Sequence, residues 1–208
     1  MDRVVFVGRS GPPSLTFLRT CAAMGVRAWL YTPGALDIGR IMEYARGVGA
    51  KALTAIEDHH CLWLAANRTA IEGVCKLMLP GIDCLELIRS KTNQIALARE
   101  AGMEILPTYE VRGAGDIGAI PLEAYPVCVR PAVAGGGARI RLIRTPAEFG
   151  GVPPPGVLIA QPLRVLPNLI IHGASREDGE VISLAAFLVD RKFEGVTLRM
   201  RPMAMPAG

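Results

Sequence analysis

Apolar and polar positions follow two rhythms along the chain, and the change falls near residues 80 to 90. In the first stretch, short apolar runs alternate with segments of helical spacing. Val4 to Val7 reads as a strand, Ser14 to Ala23 as a helix with Ser14 as its cap, and Val26 to Tyr31 as a second strand after the stop at Gly25. A helix over Asp37 to Arg46 and a strand over Ala52 to Ile56 continue the pattern. Amphipathic helices over Asp58 to Arg68 and Ala70 to Leu79 follow, with a break at Pro80-Gly81. This β-α-β-α-β order predicts a parallel sheet covered by helices. From Ser90 the pattern becomes one capped helix, ended by Gly102, and then a series of strands, which predicts a smaller α+β unit. Pro153-Pro154-Pro155-Gly156 is a rigid turn into an apolar strand ending at Gln161. Asn168 to Val189 predicts a hairpin turning at Glu177-Asp178-Gly179, and the tail from Arg201 to Gly208 has no periodicity and is expected to be loose.

Composition narrows the class. With 208 residues the chain is long enough for one large domain or two small ones. Half of its residues are hydrophobic, yet long uncharged stretches such as Phe149 to Leu163 are interrupted by Gly and Pro, and none supplies the roughly 20 apolar residues of a spanning helix. The N-terminal apolar run is too short for a secretory signal, so a soluble, cytoplasmic protein with no membrane partner is expected. Cys21, Cys61, Cys75, Cys84 and Cys128 are scattered and form no Cys-x-x-Cys pair, which fits reduced thiols rather than disulfides or zinc. His59-His60-Cys61 is the one cluster that suggests a metal, but adjacent helical residues point in different directions, so no metal site is assigned. A net charge of +4 and 5% aromatic residues give neither a basic helix nor a stacking platform; no nucleic-acid partner is expected, and the small surplus suits an anionic small ligand.

Two glycine-containing loops are candidates for binding chemistry. Gly8-Arg9-Ser10-Gly11 follows the first strand, at the edge where open α/β sheets place ligands. It lacks the third glycine of a dinucleotide fingerprint, two prolines follow it, and the second strand ends Trp29-Leu30-Tyr31-Thr32-Pro33 without an acidic residue, which disfavours NAD. The second loop, Gly135-Gly136-Gly137, lies between the strands Val127-Cys128-Val129-Arg130 and Arg139-Ile140-Arg141-Leu142-Ile143. Successive glycines let backbone N–H groups approach a ligand closely, and such a nest beside Arg130 and Arg139 suits a polyphosphate. The alternative is a simple hairpin connection.

The order of features around this loop resembles the ATP-grasp superfamily, nearest the branch of carbamoyl phosphate synthetase and related carboxylate–amine ligases. Lys91 opens a helix, Ala101-Gly102 leads to Leu106-Pro107-Thr108, Val129-Arg130-Pro131 forms a strand, the glycine loop follows, and an apolar strand ends at Gln161. The resemblance implies an N-terminal α/β, Rossmann-like domain over 1–86 and a partial ATP-grasp domain over 87–208. Within the latter, a lid subdomain spans about 107–162 and the second subdomain begins at about 163. It also implies an ATP-dependent ligase that activates a small carboxylate as an acyl phosphate for attack by an amine. Lys91 and Arg130 would contact the phosphates or adenine, Gly135, Gly136 and Gly137 would cover the phosphates, Gln161 and Leu163 would border the adenine, and Asn168 would stand at the ribose position. The alternatives are a solvated Lys91 in a first helical turn, although a cation there opposes the helix dipole, and a solvent-facing Arg130.

Departures from the family pattern bear on activity. Arg130 stands where lysine is usual, and Gln161 and Asn168 stand where the family commonly carries acidic residues. No Glu-x-Asn occurs within the 208 residues, so the magnesium ligands that accompany ATP are expected in a segment outside this chain. A truncated or partial ligase is therefore expected, inactive in isolation and prone to homodimerise through an incomplete sheet edge. The alternative is a non-catalytic nucleotide-binding or assembly protein that retains the fold.

Overall fold

Val5, Phe6 and Val7 are fully buried in succession, a pattern that a strand shows when both faces of its sheet are covered. They belong to β1 (Arg3–Val7), which lies between β2 (Arg27–Tyr31) and β3 (Ala52–Ala55). With β4 (Lys76–Leu77) these strands form a parallel sheet in the order β2-β1-β3-β4. On one face Phe6 stacks against Phe17 of α1 (Pro12–Ala23), with ring centroids 4.8 Å apart. On the other, Val5 and Val7 join a cluster with Ile41 and Ala45 of α2 (Ile38–Gly47) and Leu64 of α3 (Asp58–Ala66). The β-α-β-α-β rhythm therefore makes the covered parallel sheet that it predicts. These features come from a computed structural model, which describes residues 2–133, 140–150, 156–163, 168–175, 180–193 and 196–203.

Local chemistry sets where the elements begin and end. Pro12 and Pro13 occupy the first positions of α1, where a missing N–H breaks no helical bond. Ser14 is thus inside the helix rather than its cap, 2% exposed, with its hydroxyl donating to the Arg9 carbonyl. Asp37 caps α2 by accepting from the Arg40 N–H at 3.0 Å. The long helix expected over Asp58 to Arg68 ends instead at Ala66. Asn67 turns its side chain back onto the Trp63 carbonyl (2.8 Å), and α4 (Arg68–Glu72) starts after it. The helix expected from Ala70 to Leu79 is this short α4 followed by β4. Arg68 ties the return together, pairing with Glu72 at 2.7 Å and donating to the Pro80 carbonyl at 2.9 Å. Another helix, α5 (Ile82–Arg89), fills the stretch read as a boundary. Ser90 separates it from α6 (Lys91–Glu100) and accepts from the Asn93 N–H at 3.4 Å.

The chain divides into two compact units, Met1–Gln94 and Ile95–Gly208. In the second, β5 (Tyr109–Val111), β6 (Val127–Pro131), β7 (Arg141–Ile143) and β8 (Leu158–Pro162) form an antiparallel sheet in the order β5-β8-β6-β7, and α7 (Ala114–Ile117) follows β5. Val111, Val127, Val129, Ile143, Leu158 and Ala160 pack with Ile120, Ala124 and Phe149 to form its core. A second antiparallel sheet, in the order β11-β10-β9, contains β9 (Asn168–Ser175), β10 (Val181–Phe193) and β11 (Val196–Met203). The hairpin read over Asn168 to Val189 is the β9–β10 pair; its turn at 177–179 lies outside the described residues. The tail expected to be loose contributes Arg201, Pro202 and Met203 to β11. Proline is tolerated there because β11 is an edge strand of this three-stranded sheet.

Candidate nucleotide site

The antiparallel ladder of the second unit sorts β6 and β8 into two faces. Val127 lies opposite Pro162, and Val129 opposite Ala160, with the valines and Ala160 in the core. The alternate residues, Cys128, Arg130, Ile159 and Gln161, belong to the other face, because successive strand side chains point in opposite directions. Cys128 is the direct partner of Gln161, so Arg130 lies diagonally across from it. The guanidinium bridges that diagonal: Arg130 Nη2 donates to Gln161 Oε1 at 2.9 Å. On the far side of β8, Gln161 Nε2 donates to Thr108 Oγ1 at 2.9 Å, and Thr108 Oγ1 donates to the Leu106 carbonyl at 2.8 Å. Strand order places Gln161 centrally in this chain of bonds. Glu110, on the same face of β5 opposite Ile159, pairs with Arg112 at 2.7 Å.

Among the residues expected at a nucleotide, Arg130 and Gln161 are thus brought together. Leu163 is partly exposed, and its backbone N–H is already engaged, donating to the Pro126 carbonyl at 2.8 Å. A nucleobase seeking that donor has to displace an internal hydrogen bond. Asn168 begins β9, paired with Val189. Lys91 is the first residue of α6 and belongs to the first unit, whereas Arg130 and Gln161 belong to the second. Gly135, Gly136 and Gly137 lie outside the described residues. Thr108 was not singled out in the sequence as a site residue. Its position in Leu106-Pro107-Thr108, next to the strand that pairs with β8, is the signal that identifies it once the strand order is known.

A second polar cluster occupies the carboxyl edge of the parallel sheet. Glu57, just beyond β3, accepts from the Arg9 N–H through Oε1 (3.1 Å) and pairs with His60 Nδ1 through Oε2 (2.9 Å). A Cβ at residue 8 would stand 2.7 Å from that same Oε2 and 2.9 Å from the Phe6 ring, so the close approach requires Gly8. Partial burial raises the Glu57 pKa, but the Arg9 N–H, the His60 hydrogen bond and the His60 charge together hold it below the ordinary value. His59 lies against His60, with ring centroids 3.8 Å apart and the planes tilted by 39°; loss of hydration, then the charges of His60 and Arg9, lower its pKa. The Cys61 thiol is pushed up to about 11 by burial and by Asp58 and Glu57. The cluster therefore joins the β1–α1 loop to α3. Among the described residues, no group of three or more His, Cys, Asp or Glu side chains is arranged to hold a metal ion, and no helix is long and apolar enough to cross a membrane.

The parallel α/β unit and the antiparallel sheets that follow it in sequence match the ATP-grasp fold, part of which this chain does not span. Solved structures share it. The biotin carboxylase domain of Hydrogenobacter thermophilus 2-oxoglutarate carboxylase, in complex with MgADP, ADP and bicarbonate, matches with a TM-score of 0.65 at 20% identity, over 94% of this chain and 52% of its own. Campylobacter jejuni biotin carboxylase matches with a TM-score of 0.65 at 18% identity, over 94% and 53%. N5-carboxyaminoimidazole ribonucleotide synthetase from Thermotoga maritima matches with 0.61 at 14%, over 96% and 57%. The likeness at these identities is one of fold, and the chain spans about half the length of the structures it matches. No family model matches the sequence, and no curated protein matches it.

Proposed function

We propose that the chain acts in an ATP-dependent ligase reaction of the ATP-grasp type. A carboxylate oxygen attacks the γ-phosphorus and ADP leaves; an amine or similar nucleophile then attacks the acyl carbon, and inorganic phosphate departs. The observation that carries this reading is the Arg130–Gln161 pair joining β6 and β8, with Gly135-Gly136-Gly137 following β6 in the sequence. Phosphoryl transfer depends mainly on positioning and charge neutralisation, for which a held guanidinium and backbone donors are suited. In this reading Arg130, Lys91, Gly135, Gly136 and Gly137 meet the phosphates, the end of β8 with Gln161 and Leu163 borders the base, and Asn168 lies near the ribose. Bicarbonate, present with MgADP in the Hydrogenobacter structure, is a candidate carboxylate, and magnesium would accompany the nucleotide. A cytoplasmic location is proposed with the function.

Isothermal titration with MgATP and MgADP tests it. Arg130→Ala and Lys91→Ala should each weaken binding by about tenfold or more, the loss of one charge-assisted contact in a partly desolvated site. Saturable binding that is indifferent to both substitutions would place the nucleotide elsewhere. The second reading is a non-catalytic nucleotide-binding or assembly protein that retains the fold. Binding without turnover in this chain, and in any longer form of it, supports that reading.

A further inference from the structure

Gln161 is expected to border the base, but its hydrogen bonds point elsewhere. Its carbonyl oxygen accepts from Arg130 and its amide nitrogen donates to Thr108, both at 2.9 Å. The amide cannot be turned over without loss, because a guanidinium only donates and would then face an NH₂ group. Thr108 settles the same orientation from the opposite side: its own proton goes to the Leu106 carbonyl (2.8 Å), leaving a lone pair for Gln161. The three side chains thus form a polarised row across β5, β8 and β6, ending at the one that carries a charge.

We infer that Gln161 is a positioning residue, which holds the Arg130 guanidinium in place for the phosphate oxygens of a nucleoside di- or triphosphate, with Thr108 fixing its amide. This rests on the nucleotide reading above. It also gives a reason for glutamine at this position. A carboxylate would pair with Arg130, cancel its charge and compete with the phosphates, whereas a neutral oxygen restrains the guanidinium and leaves the positive charge available. Glu110 on the same face takes Arg112 as its partner, which limits its competition for Arg130.

The test is titration of the full chain with MgADP and, separately, with adenosine, which has the base and ribose but no phosphate. Thr108→Val should weaken MgADP binding by about three- to tenfold and leave adenosine binding unchanged, and Gln161→Ala should weaken MgADP binding by at least as much. Gln161→Glu should weaken MgADP further, by about tenfold or more. In Arg130→Ala, adding Gln161→Ala should have little additional effect, since both act through one guanidinium. A thermal melt of each variant checks folding, and Thr108→Val keeps the test open if Gln161→Ala does not fold. Equal losses for MgADP and adenosine in Thr108→Val, or additive losses in the double variant, would overturn the positioning role while leaving nucleotide binding in place. Failure of the unaltered chain to bind MgADP at all would overturn the nucleotide reading and this role with it.

Discussion

A carboxylate held from two directions senses pH differently from a free one. Glu57 receives the Arg9 N–H on one oxygen and His60 on the other, and its folded pKa lies below the ordinary 4.5. Folding therefore favours the ionised form. Its contribution is complete above the unfolded value and is lost as pH falls through the lower folded one. In Glu57→Gln, urea denaturation should show a shallower loss of stability from about pH 5 downward than in the unaltered chain. An identical acid limb in the two proteins would remove Glu57 from the account. The sequence offered the His59-His60-Cys61 run but not this pairing. The i, i+3 spacing of Glu57 and His60 is visible in the chain, whereas the approach of Arg9 depends on β1 and β3 being neighbours in the sheet.

Among the elements, those with strong periodicity and a clear boundary residue were legible. Asp37 marks the start of α2 and does cap it, so Asp37→Ala should cost about 1 kcal/mol, measurable as a lower denaturation midpoint. An unchanged midpoint would show that Arg40's N–H finds another acceptor. Legibility failed where a side chain competed with the backbone or where tertiary contact overrode pattern. Asn67 ends α3 by bonding back to Trp63, which no count of apolar positions reveals. Ser14 resembled a cap, yet two prolines start α1 ahead of it. At the end of β11 the stretch from Arg201 lacks periodicity, and Pro202 is accommodated there because the strand lies at a sheet edge.

For the molecule as a whole, the covered parallel sheet and the following antiparallel unit were readable from the change in rhythm, because strand and helix periods differ so clearly. The diagonal meeting of Arg130, Gln161 and Thr108 was not, since register and strand order are properties of the folded sheet. Catalysis is a question at this scale too. The 208-residue chain assayed alone with MgATP and bicarbonate should release no ADP above background, because phosphoryl transfer calls for a positioned metal and no group of three or more His, Cys, Asp or Glu among the described residues is arranged to hold one. Turnover that Arg130→Ala abolishes would overturn this expectation. A different consequence follows from the place of β1. Val4 lies opposite Ala28 on one side and Ala52 on the other, so the earliest of these four strands becomes an inner strand of the sheet. On the ribosome, Val4-Val5-Phe6-Val7 must wait as a bare apolar segment until two later strands emerge. Nascent chains stalled before β3 has left the exit tunnel should be cut readily by protease near β1, and chains long enough to expose all of α4 and β4 should resist.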